Sequence, residues 1–244
     1  MRSIPRGFRF AAWLLALAAP PAALAGVTVT VETPSERRTM YLEGNRFRVD
    51  TADREGNLSV VIFEGDQKRF LIADGKARRY FVMTEADLRK AGMRVERENT
   101  ARAEGKVPAE GTRRPALPKV AYSPTGEKRT VAGFRCEVYQ EKVEGRLEGE
   151  GCFIPWSSRA VTRADLAPLE KLLDLRRSMA AGPEDRPLTE EKLLAGAPGF
   201  AAWHVDIADG KRGEEELLKS LARGPIPAAT FGPPPGFTRV EVEF

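Results

Sequence analysis

From Val27 to Met83 the chain is a succession of short alternating segments divided by turn residues, and this pattern constrains its fold more than any other feature. Val27, Val29 and Val31 alternate with Thr28 and Thr30, which gives a strand with one apolar face. Thr39 to Glu43 and Arg46 to Asp50 flank Gly44-Asn45 and read as a hairpin. Leu58 to Phe63, Arg69 to Ala73 and Arg78 to Met83 follow, separated by Glu64-Gly65-Asp66 and Asp74-Gly75-Lys76. Strands spaced so closely pair in sequence order, as an antiparallel meander.

Beyond this meander, Thr84 with Asp87 and Thr162 with Asp165 have the spacing at which a hydroxyl and a carboxylate serve the free N–H groups of a helix start. The first helix should end near Gly92. The second has Leu166, Leu169, Leu172, Leu173 and Met179 at steps of three and four and should end near Gly182-Pro183. Between the two, about 94–118 is charged, contains Pro108, Pro115 and Pro118, and reads as a flexible insertion in a single domain that begins at Gly26. Further strands are expected at Lys119 to Tyr122, Arg129 to Val143, Gly151 to Pro155, Phe200 to Ile207 and Thr238 to Phe244. Residues 214–222 favour helix by propensity but lie between strand-like segments, so either state is open.

The N-terminus indicates the compartment. Arg2, Arg6 and Arg9 precede an apolar run from Phe10 to Ala19, and Ala23-Leu24-Ala25 forms an A-x-A processing site. A run of about ten residues is half of the roughly 20 needed to cross a bilayer, so it reads as a signal peptide cleaved between Ala25 and Gly26, leaving no transmembrane anchor. No cysteine stands at Gly26 or Val27 to accept a lipid. The expected location is the periplasm, or the medium after further secretion. Without the three leader arginines, 36 basic side chains face 35 acidic ones, so bulk charge does not favour nucleic acid as a partner.

Cys136 and Cys152 are the only cysteines. A hairpin closing near Glu144-Gly145 would bring them nearly opposite each other on paired strands, and in an oxidising compartment such a pair is first a disulfide. A redox pair would favour C-x-x-C spacing.

No catalytic constellation stands out, and the chain is not expected to be an enzyme. His204 is the sole histidine and reads as structural, no G-x-S-x-G or P-loop occurs, and Cys/His metal centres are excluded by count. Neither a metal nor a cofactor is therefore expected. The acids carry no contextual mark of a glycosidase pair. Arg46, Arg48, Lys68, Arg69, Arg78 and Arg79 read as the polar outer face of a one-sided sheet. The set Phe47, Val49, Val61, Phe63, Phe70, Ile72, Tyr80 and Val82, opposite Leu169, Leu172 and Leu173, is either a filled core or the lining of an apolar cleft, which periodicity does not distinguish.

Four segments together resemble a known family: Tyr41-Leu-Glu-Gly-Asn-Arg-Phe-Arg-Val-Asp50, the hairpin Asp74-Gly-Lys-Ala-Arg-Arg-Tyr-Phe-Val-Met83, Thr130-Val-Ala-Gly-Phe-Arg-Cys-Glu-Val-Tyr139, and the ending from Ile226 through Pro235-Gly-Phe237. The chain resembles an exported bacterial domain-of-unknown-function family (DUF4412-like), itself similar to lipoprotein carriers of the LolA/LolB type. The resemblance implies an α+β fold in which a curved antiparallel sheet, an incomplete barrel, wraps around helices. It implies a strand at 214–222 and a concave apolar surface for a lipid or lipoprotein acyl chain. It supplies no catalytic residue. A binding protein of this kind, or an envelope scaffold with a filled core that engages a protein partner, are the two functions to be separated.

Overall fold

A computed structural model describes residues 26–87, 89–90, 119–179 and 196–242. The leader with its cleavage site, the insertion at 94–118 and the ends of both helices lie outside the described residues. Among the described residues twelve strands form one sheet: β1 (Gly26–Glu32), β2 (Glu36–Glu43), β3 (Arg46–Asp53), β4 (Leu58–Glu64), β5 (Arg69–Asp74), β6 (Arg79–Met83), β7 (Val120–Val131), β8 (Phe134–Val143), β9 (Arg146–Pro155), β10 (Gly199–Ala208), β11 (Lys211–Gly224) and β12 (Thr238–Arg239). Their order is β12-β6-β5-β4-β3-β2-β1-β11-β10-β9-β8-β7, antiparallel throughout except for β12 on β6. The sheet is open, since its edge strands β12 and β7 do not pair, and it curves so that β7 comes back against β11. The fold is mostly sheet, with one long helix among the described residues, α1 (Ala167–Met179).

The chemistry of the hairpin turns sets the strand boundaries. At Ala132-Gly133, Glu144-Gly145 and Asp209-Gly210 both central residues have positive φ, the geometry whose twist matches the flanking strands. The turn at Ala132-Gly133 divides the expected strand Arg129 to Val143 into the end of β7 and all of β8. The strand expected to stop at Tyr122 continues to Val131 through an irregularity between Pro124 and Lys128. Residues 214–222 are strand, because β11 satisfies β1 on one side and β10 on the other, and sheet pairing overrides local helix propensity. Of the strand expected over Thr238 to Phe244, only Thr238 and Arg239 pair with β6, where the Thr238 and Val240 N–H groups donate to the Arg78 and Tyr80 carbonyls.

Both helix starts form as the sequence indicates. The Thr84 N–H and hydroxyl both donate to Asp87, whose own N–H donates back to the Thr84 hydroxyl. Thr162 and Asp165 make the same reciprocal cap on a turn of 3-10 helix, Arg163–Leu166, which leads into α1. Arg223 of β11 ion-pairs with Asp165. On α1, Lys171 reaches Asp66 at the β4–β5 turn at 2.9 Å.

Period two then sorts the apolar residues between the two faces. The face beneath α1, here the inner face, aligns Leu42, Phe47, Phe63, Phe70 and Met83 across five strands, with Met40, Val49, Val61, Ile72 and Phe81 in the adjoining row. Leu166, Leu169 and Leu175 share this core. Its rings touch, with centroids 5.7 Å apart for Phe47 and Phe63 and 4.8 Å for Phe63 and Phe70. The outer face has a smaller cluster of Val60, Ile62 and Ala73, covered by Ile226 and Phe231 from the C-terminal segment.

Candidate functional site

The predicted lining divides three ways. Phe47, Phe63 and Phe70 are packed core, with Val49, Val61, Ile72 and Leu172 half-buried against them and Leu173 buried. Tyr80 and Val82 do not face α1. Tyr80 opposes Ala73 and Val82 opposes Leu71 on the outer face, while Phe81 and Met83 hold the inner positions. Counting β6 from the wrong parity exchanges the faces of the whole strand. Tyr80 instead borders an outer hollow of about 230 Å³, together with Leu71, Phe231 and Pro233. Of the predicted set, Leu169 borders an inner cavity formed by the described residues.

That cavity, about 80 Å³, lies further along the inner face, between the start of α1 and the half of the sheet formed by β1, β2 and β7 to β11. Its apolar wall is Val31, Met40, Leu42, Phe153, Leu166, Leu169, Phe200 and Ala201, and its polar members are Tyr122, Glu141, His204, Arg38 and Glu216. Arg38 ion-pairs with both Glu36 and Glu216.

The register explains how the other three meet. Tyr122 on β7 opposes Glu141 on β8, and Glu141 opposes Gly149 on β9. Gly151, two residues on, opposes His204 on β10, which opposes Glu216 on β11. Because β9 presents glycine at both positions of this face, no side chain separates Glu141 from His204, and their Oε2 and Nε2 atoms lie 3.8 Å apart. A Cβ on Gly149 would lie 3.2 Å from His204 Nε2 and 3.4 Å from Glu141 Oε1. Glu141 is 2% exposed, the one buried charged residue among the described residues. Tyr122 donates a hydrogen bond to it. Burial first, and then the Glu141 carboxylate, push the phenol far above its ordinary range, so it remains a donor at any physiological pH.

Sequence reasoning treated His204 as structural and did not single out Tyr122 or Glu141. The available signal was Gly149-Glu150-Gly151, two glycines at strand period, which marks one face where neighbouring side chains close in.

The disulfide between Cys136 and Cys152 is formed, with Cα atoms 5.3 Å apart. It is diagonal rather than directly across: Cys152 opposes Val138, two residues from Cys136, because the pairs next to the Glu144-Gly145 turn are already one residue off a direct Cys136–Cys152 pairing and the irregularity between Glu141 and Lys142 adds one more. The basic residues of β3, the β4–β5 turn and the start of β5 are paired, Arg46 with Glu43, Arg48 with Asp50, Lys68 with Glu85 and Arg69 with Glu64. Among the described residues no helix is long and apolar enough to cross a membrane.

No protein-family model and no curated protein sequence matches this chain. Among solved structures, a chain of the Pseudomonas aeruginosa MucA/MucB complex is similar over 90% of this chain, at 11% identity and a TM-score of 0.39. A chain from a crystal structure of MucB in complex with MucA(peri) is similar over 90% at 9% identity and a TM-score of 0.30. The chain spans 59% and 58% of these two, under two thirds of either.

Proposed function

We propose that this chain is a non-catalytic binding module, working outside the cytoplasm, that accepts a short apolar group in the cleft between α1 and the inner face. The observation that carries this reading is the cavity itself: eight apolar side chains from the sheet and the start of α1 surround it, and the packed core stops short of filling it. Its volume of about 80 Å³ is well below the roughly 300–1,000 Å³ of sites that enclose drug-sized ligands. At about 15 Å³ per water it has room for about five heavy atoms. The ligand is accordingly a short molecule or the terminal carbons of a lipid or lipoprotein acyl chain. The disulfide and the arginine-flanked apolar leader support an oxidising compartment, and the sequence resemblance to exported carrier proteins, with their incomplete barrel, agrees with a binding role.

The test is a titration of the mature chain with butan-1-ol, followed by the methyl signals of Met40, Leu42, Leu166 and Leu169. Saturable shifts at these residues, absent at Val60 and Ile62 on the outer face and lost in Leu169→Asp, are expected. If none saturates, the second reading takes over, a scaffold that engages an envelope protein. The observation favouring that reading is the close packing of Phe47, Phe63 and Phe70 beneath α1.

A further inference from the structure

The polar floor of this cleft suggests the chemical class of its ligand. Glu141, His204 and Tyr122 come from three strands and border one small cavity whose other walls are mostly apolar. A carboxylate is costly to bury, and Gly149 on β9 leaves open the space in which this one meets the only imidazole of the chain. The separation of 3.8 Å between Glu141 Oε2 and His204 Nε2 exceeds hydrogen-bond reach and leaves room for a donor that serves both.

Charge selects among possible heads. Arg38, the one cation among the described residues that border the cavity, is held between Glu36 and Glu216, so an incoming carboxylate or phosphate would meet Glu141 and Glu216 with no unengaged positive partner among them. A primary ammonium has three N–H donors and no acceptor. The Glu141 carboxylate, the His204 imidazole and the Tyr122 phenol oxygen border the cavity together, and each has an atom that can accept a hydrogen bond. We propose that the Tyr122, Glu141 and His204 cluster binds the ammonium head of a short alkylamine, with the alkyl part against Leu166, Leu169 and Phe153. This rests on the cleft being a binding site and adds the head group that it selects.

The experiment compares butylamine, butan-1-ol and butyrate on the mature chain at pH 7.5, reading the amide and methyl shifts of Leu169, Ala201 and His204. Butylamine is expected to bind about tenfold tighter than butan-1-ol, the ratio that one charge-assisted hydrogen bond supplies, and butyrate weakest. In Glu141→Gln the amine should fall to the level of the alcohol. Equal binding of amine and alcohol, tighter binding of butyrate, or an amine preference that survives Glu141→Gln would overturn the assignment while leaving the cleft a binding site. Failure of all three probes to bind would overturn both. Should Glu141→Gln not fold, the ratio of amine to alcohol on the unaltered chain decides alone: tenfold supports the assignment and unity overturns it.

Discussion

Leu166 closes the 3-10 turn that leads into α1 and presses into the inner face, and replacing it with alanine tests whether this turn and the helix that follows it are docked on the sheet. The side chain is 1% exposed and belongs to the core that includes Phe47 and Phe63. Leu166→Ala removes three carbons, a transfer loss of about 2.4 kcal/mol at roughly 0.8 kcal/mol per buried carbon. The void left behind, roughly 60 Å³ at about 24 cal/mol per Å³, adds about 1.4 kcal/mol, so the expected destabilisation is about 4 kcal/mol. With a urea slope of about 2 kcal/mol per M, the midpoint should fall by about 2 M at unchanged slope. The assay is equilibrium urea unfolding followed by intrinsic fluorescence, with Glu170→Ala as an exposed control on the helix that follows, which should stay within about 0.5 kcal/mol of the parent. A loss below about 1 kcal/mol for Leu166→Ala would refute the packing described here, because a residue so enclosed loses little only if the helix is not held against the sheet.

Other expectations follow from the same geometry. Replacing Cys136 and Cys152 together by serine should cost about 3 kcal/mol, the chain-entropy value for a loop of this length, read as a lower thermal midpoint that reductant no longer changes. Gly149→Ala should destabilise by about 1–3 kcal/mol, since the new methyl lies 3.2 Å from His204 Nε2 and 3.2 Å from the Val205 carbonyl; an unchanged midpoint would mean that the glycine is not needed for the approach of Glu141 and His204. Asp66 is held below its ordinary value of 3.8, first by the Lys171 hydrogen bond and then by Asn45. Its folded pKa is depressed, so its contribution is fully present above the unfolded value and is lost as pH falls from there through the folded value. Urea midpoints at pH 7 and pH 3 should therefore differ less in Asp66→Asn than in the parent, and an identical difference in both would remove this tie of α1 to the β4–β5 turn. Phe231→Ala, which uncovers Val60, Ile62 and Ala73, should destabilise by about 3–5 kcal/mol without altering butan-1-ol binding on the other face.

The local structure was largely legible because it depends on local rules. Alternation of the valines of β1, turn residues at Gly44, Gly133, Gly145 and Gly210, and the Thr/Asp spacing at both helix starts each act within a few residues. What depended on distant partners was not legible. Residues 214–222 could be assigned only once β1 and β10 were available to flank them, and the parity of β6 only once Ile72 was seen to face Phe81. The site was missed for the same reason: Tyr122, Glu141 and His204 are up to 82 residues apart and become neighbours only through the order β7-β8-β9-β10. The burial of Leu169 was legible because a helical stripe identifies its buried side without knowledge of what it covers.

Entry of a short apolar group into the cleft beside Leu166 and Leu169, as proposed, can be observed through intermolecular nuclear Overhauser effects between butan-1-ol and the mature chain. Cross-peaks from the alkyl protons to the methyl groups of Met40, Leu42, Leu166 and Leu169, with none to Val60 or Ile62, are the predicted result. Cross-peaks confined to the outer face, or none at all under saturating alcohol, would contradict it.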